Sequence, residues 1–160
     1  MNEVPDIDVS VEIDAPAEQV WALVSDLARM ADWSPQVVST RIKGDGGIAL
    51  GTRFTNLNQQ GEMQWVTHAE IVRYEPGREL EFRIEENWAV WSFTLEPTPA
   101  GTRVHQRRHA PDGISDLSRD LTEGFLGGQE AFTGVLRDGM TETLARLKAE
   151  AEAAAGVSPR

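Results

Sequence analysis

Few side chains in this 160-residue chain combine reactive chemistry with a placement from which to use it. In Val104-His105-Gln106-Arg107-Arg108-His109, Gln106 and Arg108 share parity with Val104, the strand's aliphatic residue. A strand there carries an amide and a guanidinium on its apolar face. A guanidinium so placed can orient a carbonyl or carboxylate through a forked pair of hydrogen bonds. It can equally be tied into a salt bridge, and Glu86 and Asp112, near loops, are available for that. Asn56 and Asn58 share parity with Phe54. If Phe54 points inward, two amides do too, and buried amides need partners. Arg108, Asn56 and Asn58, with Gln106 beside them, are the candidates for catalysis by positioned hydrogen bonds and proton transfer. Five tryptophans are present. Trp65 and Trp91, with Phe54, Phe82 and Phe93, fall on inward faces suited to stacking on a planar ligand or to core packing. Trp33, before Ser34-Pro35, either lines a cavity mouth or anchors a corner.

Other chemistries are excluded by spacing or composition. His105 and His109 are four strand residues apart, roughly 13 Å, too far to share a metal. His68 lies on the face opposite Trp65 and Ile71, so all three histidines read as surface or edge residues. No metal and no cofactor is expected. Without cysteine there is neither a disulfide nor a thiolate zinc site. No nucleophile elbow, Walker loop or dinucleotide-binding glycine pattern occurs, and Gly127-Gly128 has no suitable strand before it. Tyr74, just before a Pro-Gly turn, is poorly placed as a general acid. Asp and Glu outnumber Lys and Arg by 26 to 15, a net charge of −11. That field repels a polyanion, so nucleic acid is not an expected partner. The N-terminus lacks a signal-peptide pattern, and no apolar stretch is long enough to span a membrane. A cytoplasmic protein is expected.

The elements that must position these residues follow from periodicity. Ile7, Val9, Val11 and Ile13 alternate with polar residues, predicting a first strand. Pro16, Glu18 and the helical spacing of Ala17, Val20, Val24 and Leu27 predict a helix over 16–26, followed by a second short helix to Asp32. Six strands with short turns follow, at 37–43, 51–59, 64–74, 78–85, 88–96 and 102–109, as an antiparallel meander. Residues 111–130 are rich in Gly, Asp and Ser, with Leu117 and Leu121 suggesting a short helical piece. Phe132, Leu136, Met140, Leu144 and Leu147 then mark one stripe of a long helix to about Ala155, with Val135 and Thr143 widening it. The expected organisation is one domain over 1–155 with a disordered tail at 156–160. One antiparallel sheet must cover its apolar face, and only the long helix is large enough to do so. A curved sheet around a helix leaves a gap of the kind that holds ligands.

The sequence resembles the polyketide cyclase/dehydrase-like branch of the START/Bet v 1-like (SRPBCC) superfamily. The likeness runs through VSVEIDAPAEQVWALVSDLARM, Trp33-Ser34-Pro35, GTRFTNLN at 51–58, Trp65 and Thr67, EPGRELEF at 75–82, WSFTLEPTPAGTRV at 91–104 and DGMTETLARLK at 138–148. The resemblance implies an α+β helix-grip fold, with a curved antiparallel sheet of about seven strands around a long C-terminal helix and two short helices after the first strand. It implies an internal cavity for a small hydrophobic ligand, or an aromatase/cyclase activity without metal, or an interaction module like the co-chaperones of a neighbouring branch. A homodimer is compatible with each. The subgroup usually carries Thr-Glu near the end of its last strand, where this chain has Val104 to Arg108. The expected ligand-binding set is Trp33, Phe54, Asn56, Trp65, Phe82, Trp91, Phe93, Gln106, Arg108, Phe132, Leu136 and Met140. Trp88, near a hairpin tip, belongs to an interface or packs at an edge.

Overall fold

The structure is a computed structural model describing residues 6–44, 47–113, 115, 123 and 128–156. The short helical piece expected around Leu117 and Leu121, and the tail at 157–160, lie outside the described residues. Strand β1 spans Ile7–Ile13. Helix α1 (Ala17–Val24), a 3-10 turn (Leu27–Arg29) and helix α2 (Met30–Trp33) follow. Strands β2 (Val37–Ile42), β3 (Arg53–Gln60), β4 (Met63–Glu75), β5 (Glu79–Ile84), β6 (Val90–Pro97) and β7 (Thr102–His109) precede the 26-residue helix α3 (Gln129–Ala154). The strands form one antiparallel sheet in the order β1-β7-β6-β5-β4-β3-β2. This is the expected helix-grip architecture. The predicted strand from residue 51 starts two residues later, because Gly51 adopts a φ of 88° and turns the chain.

Local chemistry explains the punctuation. Pro16 caps α1 with extended backbone, leaving Val20 and Val24 to bury one face. Ser34, held extended by the proline that follows it, ends α2 and aims the chain into β2. Along β7 the burial alternates strictly: Thr102, Val104, Gln106 and Arg108 are buried, while Arg103, His105, Arg107 and His109 are not. The main core packs Ile13, Val20, Val24, Leu95 and Val104 against Leu144, Leu147 and Ala151 of α3.

Helix α3 is held unequally along its length. Its second half carries Glu142–Arg146 and Lys148–Glu152 pairs at 2.8 and 2.6 Å, both i,i+4. Glu152 also accepts the Asp14 backbone N–H at 2.9 Å, and Glu150 takes a forked pair of bonds from Arg29 at 2.6 and 2.7 Å. Hydrogen bonding to Glu150 foremost, and to Asp32, raises the pKa of Arg29 further above its already high value. Its guanidinium lies 4.6 Å over the Trp33 ring, so one residue joins the α2 corner to the helix. The first half of α3 contains Gly134 and Gly139, poor helix formers, and none of these ties among the described residues.

Gly101 closes the β6–β7 turn against the end of β1. A Cβ there would sit 2.2 Å from the Ile13 carbonyl oxygen and 2.8 Å from the Ala15 N. Thr102 beside it is fully buried and donates to the Ala15 carbonyl at 2.8 Å. Gly101→Ala is expected to cost roughly 1–3 kcal/mol or more through this backbone clash. Urea unfolding of the variant against the parent chain measures it.

Candidate functional site

The helix does not fill the sheet's inner face. Beside the first half of α3 lies a cavity of about 230 Å³. Strands β3 to β7 contribute mainly residues of one parity: Asn56 and Asn58, Trp65 and Thr67, Phe82 and Ile84, Trp91 and Phe93, and Gln106 and Arg108, with Val66 of β4 the exception. The α2 corner adds Met30 and Trp33, and α3 adds Phe132, Leu136 and Thr143. Strand register orders this wall. Trp91 pairs with Phe82 on one side and Arg108 on the other, and Phe93 pairs with Gln106. Asn56 pairs with Thr67 and Asn58 with Trp65. An aromatic centre on β5 and β6 therefore separates a polar pole on β3 and β4 from another on β7.

The two poles differ in how far the protein itself satisfies them. Asn56 accepts from the Thr40 hydroxyl at 2.6 Å and donates to the Met30 sulfur at 3.4 Å. Asn58 donates to the Thr67 hydroxyl at 3.0 Å and to the Trp65 carbonyl at 3.3 Å. These amides are wall groups with internal partners. At the β7 pole, the buried Nη1 of Arg108, Oε1 of Gln106 and Nε1 of Trp33 have no hydrogen-bond partner among the described residues. Arg108 is only 4% exposed. Its strand neighbours are Ile7 and Trp91, neither of which offers a charge. The anticipated acidic partners are engaged elsewhere: Glu86 lies 2.5 Å from His68 Nδ1, and Asp112 faces Arg83 at 3.7 Å. Burial pushes the Arg108 pKa down, opposed in part by the charge of Asp6. Asp6 itself pairs with Arg107 at 2.5 Å.

Two expected ligand residues lie elsewhere. Phe54 shares the inward face with Asn56 but is 2% exposed and sealed in a core cluster with Ala69, Ile71 and Leu80. Its ring meets Phe82 edge-on at 5.1 Å. Inward parity there leads into packed core, because the cavity starts one inward residue further along β3. Met140 packs with Ile7 and Leu136 and borders only an adjoining compartment of about 20 Å³, room for a single water molecule. Ser34, Gln36, Gln106 and Thr143 also line that compartment. Thr67 and Thr143 of the main wall were within reach of parity and helical spacing, whereas Met30 and Gln36 sit in the corner after α1, where no period applies. A compact His–carboxylate set also forms, contrary to the sequence reading. Ligand atoms of His68, Glu85 and Glu86 lie within 4.8 Å of one another. Both carboxylates have protein partners, Glu85 pairing with Arg53 and Glu86 accepting the His68 backbone N–H at 2.7 Å.

Residues 5–152 match the sequence profile of the family described as polyketide cyclase / dehydrase and lipid transport. The chain belongs to that family. Solved structures agree on the fold. The di-domain aromatase/cyclase StfQ from the steffimycin biosynthetic pathway superposes with a TM-score of 0.78 at 16% identity, covering 98% of this chain and 53% of that one. BexL, the di-domain aromatase/cyclase of the BE-7585A pathway, gives 0.69 at 17% identity, with 92% and 50% covered. The chain thus spans about half the length of each. A polyketide-cyclase-like protein from Corynebacterium glutamicum gives 0.65 at 27% identity over 92% of this chain and 91% of its own. Among curated protein sequences, none matches. No helix of the described residues is long and apolar enough to cross a membrane.

The separation of core from cavity wall is testable by truncation. Phe54→Ala removes a fully packed ring and is expected to cost about 3–5 kcal/mol. Phe132→Ala removes a half-buried ring at the cavity and should cost less than half as much. Paired chemical denaturation curves of the two variants check the contrast.

Proposed function

We propose that this chain binds a compact, largely apolar aromatic molecule in the cavity between its sheet and α3. The observation that carries the reading is the wall itself. Trp33, Trp65, Phe82, Trp91 and Phe93 line one partly open volume, with Asp26, Gln36, Glu86 and Asn87 adding polar groups beside those of β3 and β7. Predominantly aromatic lining with a few placed polar groups is the usual make-up of a small-molecule site. About 230 Å³ lies just below the usual lower bound of roughly 300 Å³ for such sites. It suits fused rings better than a long acyl chain. Offset or edge-on stacking on these rings supplies affinity without polar contacts.

A cyclase or aromatase role is the second reading. It is favoured by the unpartnered Arg108, Gln106 and Trp33 atoms around one cavity. Such groups hold a reactive chain by its oxygens and stabilise charge that develops as a ring closes. The two-domain StfQ and BexL structures of this fold are aromatase/cyclases, which supports the same chemistry here. Asn56 and Asn58, both internally bonded, would shape the wall in either case.

A thermal-shift panel of fatty acids, sterols, flavonoids and aromatic polyketides tests the binding reading. A compound present at about 100 times its dissociation constant adds roughly 2.7 kcal/mol of stability, a rise of several degrees. Planar aromatics are expected to produce it, and fatty acids and sterols are not. A flat response across all four classes sinks the proposal. Turnover of any compound that binds, lost in Arg108→Met, would select the enzymatic reading.

A further inference from the structure

We infer that the ligand of this cavity is an anion, whose negative oxygens sit on Arg108 at the β7 pole. The inference rests on the aromatic-cavity reading above and narrows it to a chemical class: a fused-ring aromatic acid, or a ring system bearing an ionised phenol or enol.

The neighbouring arginines show what this fold does with a positive charge. On the same strand, Arg103 bonds to Glu12 and Glu96 at 2.5 and 3.1 Å, and Arg107 to Asp6 at 2.5 Å. Both face outward, where water would solvate them even unpaired. Arg108 alternates to the inner face, where water is scarce and a counter-charge is worth most. There it is 4% exposed, has Ile7 and Trp91 as strand neighbours, and pairs with no carboxylate among the described residues. A guanidinium stays charged throughout the physiological range, so it cannot relieve burial by losing a proton. Burying such a charge is costly unless something compensates it. Most other charged side chains of the described sheet are paired on the outer face.

The surroundings set the form of the counter-charge. Arg108 and Trp33 both line the cavity, and each carries a buried donor, Nη1 and Nε1, without a partner among the described residues. Gln106 Oε1 is an unpartnered acceptor at the same end, but it is neutral, whereas the guanidinium calls for a counter-charge, and its planar fork matches a carboxylate best. Trp91 lies beside Arg108 in the sheet, so a ring stacked on Trp91 carries its acidic substituent to the guanidinium. The β3 pole, with amides already bonded, makes no comparable demand for charge.

The test uses three probes of nearly equal size on the full chain: 2-naphthoate, 2-naphthamide and naphthalene, followed by quenching of the cavity tryptophans and by calorimetry. The acid is expected to bind at least about tenfold more tightly than the amide. In Arg108→Met the two should bind within about twofold of each other. Arg108→Lys, which keeps the charge and loses the fork, should retain the preference at reduced affinity. Without ligand, Arg108→Met should melt at least about 2 °C above the parent chain, because an uncompensated buried charge has been replaced by an apolar side chain of similar length. Equal affinity of acid and amide for the parent chain would overturn the anion assignment while leaving the aromatic cavity standing. So would an acid preference that survives in Arg108→Met, or one that vanishes in a folded Arg108→Lys. If none of the three probes binds, both readings fall together.

Discussion

A single helix is too narrow to cover the inner face of a sheet seven strands wide. Six inter-strand spacings amount to roughly 29 Å, against about 10–12 Å for a helix with its side chains. The remaining apolar face must be closed by curvature, by other elements, or not at all. Here α1 and the α2 corner cover one part together with the second half of α3, and the main core lies beneath them. What is left uncovered is the cavity. Its position follows from where α3 is tied down. The ion pairs and backbone contacts gather beyond Met140, while Phe132 and Leu136 of the first half border open space.

Much of this was readable from the chain, because strand alternation is a strict rule with period two. Residues 102–109 alternate in the structure as they do in the sequence, and that alone placed Gln106 and Arg108 inside. The long helix was equally legible from the spacing of Leu136, Met140, Leu144 and Leu147. Parity, however, reports direction and not depth. Phe54 and Asn56 point the same way, yet one is sealed under Phe82 and the other lines the cavity. The difference comes from curvature, a property of the whole sheet that no local pattern encodes. The loneliness of Arg108 was hidden for a related reason. Whether an acid lies near depends on cross-strand register, and register brought Ile7 and Trp91 beside it. The closeness of His68 to Glu85 and Glu86 arises in the same way, because the β4–β5 hairpin folds residues 17 and 18 positions apart onto each other.

The cavity's polarity sets it apart from ordinary packing. A chain selected for stability alone would replace a buried unpaired guanidinium with an apolar residue of like volume, a change that is often neutral or stabilising. It would also favour alanine over glycine at position 139, where a Cβ meets nothing closer than Pro35 at 3.5 Å. The two departures from local optimality border adjoining spaces, Arg108 the main cavity and Gly139 the small compartment beside it. Natural sequences tend to break local rules where function requires it.

Strand β1 pairs with β7, so Ile7 lies across from Arg108, about a hundred residues further along the chain. Such a pairing carries a large loop-closure entropy and slows folding. During synthesis the first strand emerges well before its partner, and its alternating face of Ile7, Val9, Val11 and Ile13 must wait unpaired. The β2–β6 meander can zip up locally in the meantime. The last surface to form is then the one beside Arg108, bounded by β1, β6 and β7. Assembly of the ligand pole and completion of the native topology thus become one kinetic event. A partly folded chain can present the aromatic wall of β4 to β6, but not yet the charged pole that completes the pocket.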